Sequence, residues 1–292
     1  MLLSIRNAAA AAAMLCVAIL PGPWALAADK SPADLVIVRR GTLPILLTAP
    51  HGGREAIPGV APRDIKRAGV AEESRRWGGA VTSTDGNTDV LALRMAAEIR
   101  RLTGQAPYVV VAKFQRKFID ANRPAELAFD SPAALPYYDL YHRSIREFVD
   151  EILRTHSAGL LIDVHGQNKD PGVLMRGTVN GKTVLKLVRR SGVEAITGPE
   201  GLFGRLEAMG FKVFPANSEG LGARSEDAGL NGGYTTRLYG SDNAGGIDAV
   251  QFEFGTVYRR KEAVEKSAVD AGRAVVAFYE RYLAKERGAG SQ

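Results

Sequence analysis

The chain has one cysteine, Cys16, among its 292 residues. That cysteine lies in a leader that reads as a secretory signal. Arg6 supplies the positive start, Ala8 to Leu20 the apolar stretch, and Ala25-Leu26-Ala27 the small-residue cleavage site. Pro21, Gly22 and Pro23 interrupt the apolar stretch early, which argues against an uncleaved anchor. Leu15, with no small residues ahead of Cys16, argues against a lipoprotein site. Removal of residues 1–27 leaves no thiol, so neither a cystine framework nor cysteine chemistry is available. Any metal must then be held by nitrogen and oxygen donors, a set that suits a catalytic zinc.

Other absences narrow the field further. No later stretch is long and apolar enough to span a bilayer. No basic run is interleaved with aromatic residues, and with export expected this argues against nucleic acid as a partner. Arg75-Arg76, Arg100-Arg101, Arg189-Arg190 and Arg259-Arg260 are spread along the chain and read mostly as solvated helix faces. No Gly-x-Ser-x-Gly elbow is present, which argues against a serine hydrolase. Neither an internal repeat nor a Pro/Gly/Ser linker divides the chain, so one domain over 28–287 is expected, with a disordered tail at 288–292. The formal charge of +6 includes Arg6 of the leader. The remaining positive field favours a small anionic substrate, met in the periplasm or outside the cell.

What is present is an alternation of strands and helices. Leu35 to Val38 and Pro44 to Thr48 read as strands, with Gly41 between them suggesting a hairpin or close pair. Residues 54–84 read as a long active-site loop with a short helix near Glu72 to Trp77. Asp85 to Leu102 carries Leu91, Met95, Ile99 and Leu102 at helical spacing, with Asp85 placed to cap it. Tyr108 to Ala112 is a β-branched strand, and Tyr137 to His156 a second helix. Leu160 to Gln167 is a buried strand. Val173 to Val184 reads as a hairpin around Asn180-Gly181. A helix is expected over Gly201 to Met209 and a strand over Lys212 to Phe214. Loops follow over 216–246, then a strand at Ala249 to Phe254 and a helix over Arg260 to Lys285. The fold class is α/β, with a mixed, mostly parallel sheet covered by helices on both faces.

The chemistry concentrates at strand ends. Outside the leader there are four histidines. His142 and His156 belong to the second helix and read as packing or solvent contacts. His51 and His165 each follow a buried strand and precede a glycine, at the point where open α/β sheets bind ligands. Two such imidazoles suit a zinc site that needs a third protein ligand and an open position. The third must be a carboxylate; Glu55, Asp85 and Asp89 are the candidates, and Asp85 is preferred. Asp163 shares the strand parity of His165 and can orient it. Glu253 lies among aromatic residues at a strand end, where burial raises a carboxyl pKa toward that of a general base; the alternative is a solvent-facing position on an edge strand. Asn122-Arg123-Pro124, after Asp120, suits bidentate recognition of a carboxylate.

The ordered series Pro50-His51-Gly52-Gly53, Thr84-Asp85 with Asp89, Arg116, Asp120-x-Asn122-Arg123-Pro124, Asp163-x-His165-Gly166, Asn231 to Gly240 and Gln251-x-Glu253 resembles the N-formylglutamate amidohydrolase family. That family looks like a branch of the zinc carboxypeptidase and aspartoacylase superfamily. The resemblance implies one catalytic zinc on His51, His165 and an acid. It implies Glu253 as the catalytic glutamate, and Asn122 and Arg123 as the grip on a substrate carboxylate. Arg116 would then stabilise the oxyanion, and Arg237 would be a second anion contact. The superfamily usually places the acidic ligand three residues after the first histidine; this chain has Arg54 there, hence the preference for Asp85. The implied reaction is hydrolysis of the amide bond of an N-acyl (N-formyl) amino acid or a related carboxylate-bearing substrate. Alternatives are an exported carboxypeptidase or amidase acting on peptides or cell-wall fragments, or a binding protein on the same fold. N-Formylglutamate is a cytoplasmic metabolite, so the leader points to another N-acyl amino acid, or to a peptide or cell-wall fragment with a free carboxylate.

Overall fold

The computed structural model describes residues 30–222 and 226–284. The expected leader and tail lie outside the described residues. So do both ends of the expected domain.

The described residues form a seven-stranded mixed sheet in the order β1-β3-β2-β4-β7-β5-β6. Its strands are β1 (Val36–Arg39), β2 (Ile45–Ala49), β3 (Tyr108–Ala112), β4 (Leu160–Gln167), β5 (Leu174–Gly177), β6 (Val213–Phe214) and β7 (Asp248–Gly255). The centre, β3-β2-β4-β7, is parallel; β1 and β5 join it antiparallel, and β6 is parallel to β5. The expected α/β class holds.

Strand parity sorts the side chains. Ile45, Leu47, Leu160, Ile162, Val164, Val250, Phe252 and Phe254 face one way. They pack beneath helices α1 (Thr88–Thr103), α3 (Leu202–Ala208) and α5 (Val264–Tyr282). Leu46, Val110, Leu161 and Ala249 face the other way, toward α2 (Leu135–Thr155). On this second face the apolar lining stops short of the strand ends. Thr48, Asp163, His165, Gln251 and Glu253 continue the same alternation and are all buried. Alternation at a period of two therefore turns an apolar face into a polar one within the same strands.

Several expectations need correction. β1 pairs with β3 and not with β2, so residues 36–48 form no hairpin. A returning β1–β2 hairpin would place β1 in the slot that β3 fills beside β2. No hairpin follows Val173 either. β5 ends at Gly177, Asn180 and Gly181 both take positive φ, and the chain enters a 3-10 turn at Lys182–Val184. β5 instead pairs with β7 and β6. Helix α1 begins at Thr88 with Asn87 in the cap position, so Asp85 does not cap it. The loop expected over 216–246 contains a helix, α4 (Tyr234–Tyr239). The terminal helix starts later than expected, at Val264 and not Arg260, and a separate turn at Thr256–Arg259 precedes it.

Candidate metal centre and active site

Three neighbouring strands deliver the central residues. His51 follows β2, His165 lies in β4, and Glu253 lies in β7 directly opposite His165 in the parallel register. Asp85 arrives from the loop before α1, where its backbone N–H donates to the His51 carbonyl at 3.1 Å. Because Asn87 occupies the cap position, the Asp85 side chain is free to turn toward the histidines.

His51 Nδ1 and His165 Nδ1 are 3.2 Å apart, and each is 3.3 Å from Asp85 Oδ2. On the far side of each ring, Nε2 meets a buried carboxylate: His51 Nε2 lies 2.7 Å from Asp120 Oδ1, and His165 Nε2 lies 2.8 Å from Asp163 Oδ2. An ionised carboxylate only accepts, so both Nε2 atoms carry the proton and both Nδ1 atoms turn toward Asp85. Thr48 Oγ1 donates to the other Asp163 oxygen at 2.6 Å, fixing that carboxylate in turn.

With both imidazoles neutral these are three acceptor atoms, which repel one another unless a proton or a metal cation lies among them. Ligands about 2.0–2.1 Å from a tetrahedral ion are separated by about 3.3 Å, the edge length of this triangle. His51, Asp85 and His165 therefore form a buried group that could hold a metal ion. Electrostatics agree. Burial disfavours a charge on His165, yet Asp163, Asp85 and Glu253 outweigh it and push its pKa up to about 10. Burial likewise opposes the charge on Asp85, but both histidines and Arg116 hold its carboxyl far below the ordinary range.

The other candidate acids lie elsewhere. Glu55 is in ion pairs with Lys30 and Lys113. Asp89 lies outside the triangle, and burial raises its pKa.

Glu253 is buried, and β7 is an interior strand, so it occupies no solvent-facing edge. Its Oε1 accepts from Gln251 Nε2 at 2.8 Å, while its Oε2 has no partner. Burial, reinforced by Asp85, lifts its pKa to about 8 against the pull of His165. Glu253 lines a cavity of about 90 Å³ together with His51, Asp85, Arg116, Asn122, Arg123 and His165.

Arginines surround the carboxylate that holds His51. Arg116 Nε donates to Asp120 Oδ2 at 2.9 Å, with Arg63 and Arg123 at 3.7 and 3.9 Å from the same oxygen. Arg123 also donates to the Asn122 carbonyl at 2.8 Å and to the Gly79 carbonyl at 2.7 Å, bonds that leave part of its fork of donors unspent. Asn122 Oδ1 accepts from the Thr235 N–H at 2.8 Å, which sets the direction of its amide. Gly233 makes room for that amide: a Cβ there would come within 2.1 Å of Asn122 Nδ2. Arg237 is not part of the pocket lining; its guanidinium donates to the Gly232 carbonyl at 3.1 Å.

Two roles escaped the sequence. Asp120 was visible only as a neighbour of Asn122-Arg123, although a second ligating histidine calls for a second orienting acid. Arg259 read as one of a basic pair on a solvated face. It is buried, and donates to the carbonyls of Phe254 (2.9 Å), Gly86 (2.9 Å) and Gln167 (3.2 Å) and to Asn168 Oδ1 (2.9 Å). Those carbonyls belong to residues beside Glu253, beside Asp85 and two beyond His165. Gly166 leaves space for this guanidinium, since a Cβ there would lie 2.4 Å from Arg259 Nε.

Neither a protein-family model nor a curated protein matches the sequence. Solved structures do match the fold. A gene product of Agrobacterium tumefaciens, Atu2144, is 14% identical with a TM-score of 0.51, over 86% of this chain and 94% of that one. N-Formylglutamate amidohydrolase from Ralstonia eutropha JMP134 is 18% identical with a TM-score of 0.54, over 85% of this chain and 98% of that one. At that identity the likeness establishes architecture, and the chain shares the fold of N-formylglutamate amidohydrolase.

Proposed function

We propose that the protein is a zinc-dependent amidohydrolase, a divergent member of the N-formylglutamate amidohydrolase family. It cleaves the amide bond of an N-acyl amino acid with a free carboxylate. The observation that carries this reading is the triangle of His51 Nδ1, His165 Nδ1 and Asp85 Oδ2 in one pocket with the unpartnered Glu253 Oε2. The donor set is one that zinc favours, and the fold is one that an amidohydrolase uses.

His51, Asp85 and His165 would hold the zinc, which when bound would supply Lewis acidity toward the amide carbonyl and water. The remaining work belongs to the chain. Asp120 and Asp163 keep both imidazoles turned with Nδ1 inward. Asn122 and Arg123 hold the substrate carboxylate. Glu253 takes a proton from the attacking water at Oε2 and returns it to the leaving amine; a pKa near neutrality suits both transfers. Arg116, an invariably charged donor beside Asp85, stabilises the developing oxyanion. Arg237, outside the pocket lining, is left out of the carboxylate grip. The leader places the enzyme outside the cytoplasm, and N-terminal sequencing of the exported protein would then begin near Ala28.

The test combines metal analysis with turnover. Purified protein should hold stoichiometric zinc, His165→Ala should lose it, and a chelator should stop hydrolysis of N-formyl amino acids. Glu253→Gln should keep the metal and lose about 10²–10⁴-fold in kcat. Wild-type turnover in metal-free protein would sink the reading.

A further inference from the structure

We infer that the pocket selects N-acyl amino acids whose side chain is apolar, over those of glutamate or aspartate. This rests on the hydrolase reading above and names its substrate class. Among the described residues, Arg116 and Arg123 are the only cationic lysine or arginine side chains that line the pocket. Both lean on Asp120, and together with Asn122 they suit one substrate carboxylate. The apolar part of the lining is made of Trp77, Val81 and Leu230, none of them fully buried. Apolar surface left half-covered inside a polar pocket is surface for a ligand to cover.

The wall is tied to the carboxylate end of the site. Arg123 donates to the Gly79 carbonyl at 2.7 Å, and Arg63 donates to the Val81 carbonyl. Trp77 meets Tyr234 edge-on with ring centroids 5.4 Å apart. Gly78 lies against Gly229, where a Cβ would be 2.7 Å from the Gly229 carbonyl oxygen. Two loop segments are thereby held together beside Arg123. Because this wall adjoins Arg123, the amino-acid side chain next to the gripped carboxylate is the group assigned to it, and not the acyl group. A second carboxylate there would lose water and gain no lining cation. Arg76 and Arg237 flank the wall without lining it: Arg76 sits 4.4 Å over the Trp77 ring, and Arg237 is bonded to the Gly232 carbonyl.

The experiment measures binding apart from chemistry. Zinc-loaded Glu253→Gln protein is titrated calorimetrically with N-formyl-L-phenylalanine, N-formyl-L-leucine and N-formyl-L-glutamate. The two apolar compounds should bind about tenfold or more tighter than the glutamate derivative. Trp77→Ala should shrink that ratio, and Leu230→Lys should shift it toward glutamate. The wild-type kcat/KM ratios repeat the comparison without the Glu253 variant. Equal or tighter binding of N-formyl-L-glutamate overturns the inference and assigns Arg76 or Arg237 a direct role. So does a ratio that neither wall variant moves. The two readings fail separately: turnover with glutamate preferred refutes the substrate class alone, whereas apolar-selective binding with no wild-type turnover refutes the hydrolase alone.

Discussion

Replacing Asp163 by asparagine alters one atom of a fully buried carboxylate and almost none of its shape. Two donors converge on it, His165 Nε2 at 2.8 Å and Thr48 Oγ1 at 2.6 Å. An asparagine can still accept from His165 through its oxygen, because its amide can turn to Thr48, whose hydroxyl rotates to accept. What disappears is the charge. A hydrogen bond to a charged partner contributes about 1.5–3 kcal/mol and a neutral one about 0.5–1.5 kcal/mol, so the change is about 1–1.5 kcal/mol. That is about a factor of ten. Loss of an orienting partner behind a metal-bound histidine typically costs about 10–100-fold in metal affinity, a range whose lower end is the same figure. Zinc affinity of Asp163→Asn, measured by competition with a chromophoric chelator, should therefore fall about tenfold. Thr48→Val should have a smaller effect, since it removes only a neutral donor. A folded Asp163→Asn protein that binds zinc as tightly as wild type would refute the argument that Asp163 sets the His165 ring.

His142 offers a test of stability. Burial drives its pKa from 6.5 down to about 4, against the Ala121 carbonyl and Asp163, which favour the charged ring. The folded form then binds fewer protons than the unfolded form across that window, so stability falls as pH drops from 6.5 to 4. The loss attributable to His142 is about 3 kcal/mol, and His142→Gln should flatten that part of a urea-unfolding pH profile. Arg259→Lys should lower kcat/KM about tenfold with the protein still folded, because a lysine cannot span the four acceptors that the planar guanidinium reaches; wild-type kinetics would dismiss Arg259 as a positioning residue. In Gly233→Ala the new Cβ pushes against Asn122, and KM for N-acyl amino acids should rise about tenfold, more than kcat falls. An unchanged KM would remove Asn122 from the carboxylate grip.

How much of this was legible in the sequence depends on the distance over which each relation acts. Asp163 and His165 differ by two positions in one strand, so their shared face follows from the pleat and could be read directly. His51 and His165 stood out because each ends an apolar run and precedes a glycine. Asp85 could be listed among the acids near His51, but its freedom to reach the histidines depends on α1 starting at Thr88, later than the apolar spacing suggested. Glu253 left two readings, buried or on an edge, and only the sheet order places β7 between β4 and β5.

Local pattern alone, then, determined the class of fold, the strands that end in chemistry, and the nitrogen and oxygen donors on offer. Side-chain periodicity is a property of a few consecutive residues, and the sequence carries it in full. Tertiary structure decided which of those ends meet. Asp120 reaches His51 because β3 lies beside β2, and β3 holds that place because β1 took the outer edge. Arg259 passes from a presumed surface cation to a buried brace because the turn after β7 carries it beneath the ends of β4 and the loop before α1. Distances of about 3 Å between atoms on separate segments are set by strand order and register, which no single stretch of the sequence contains.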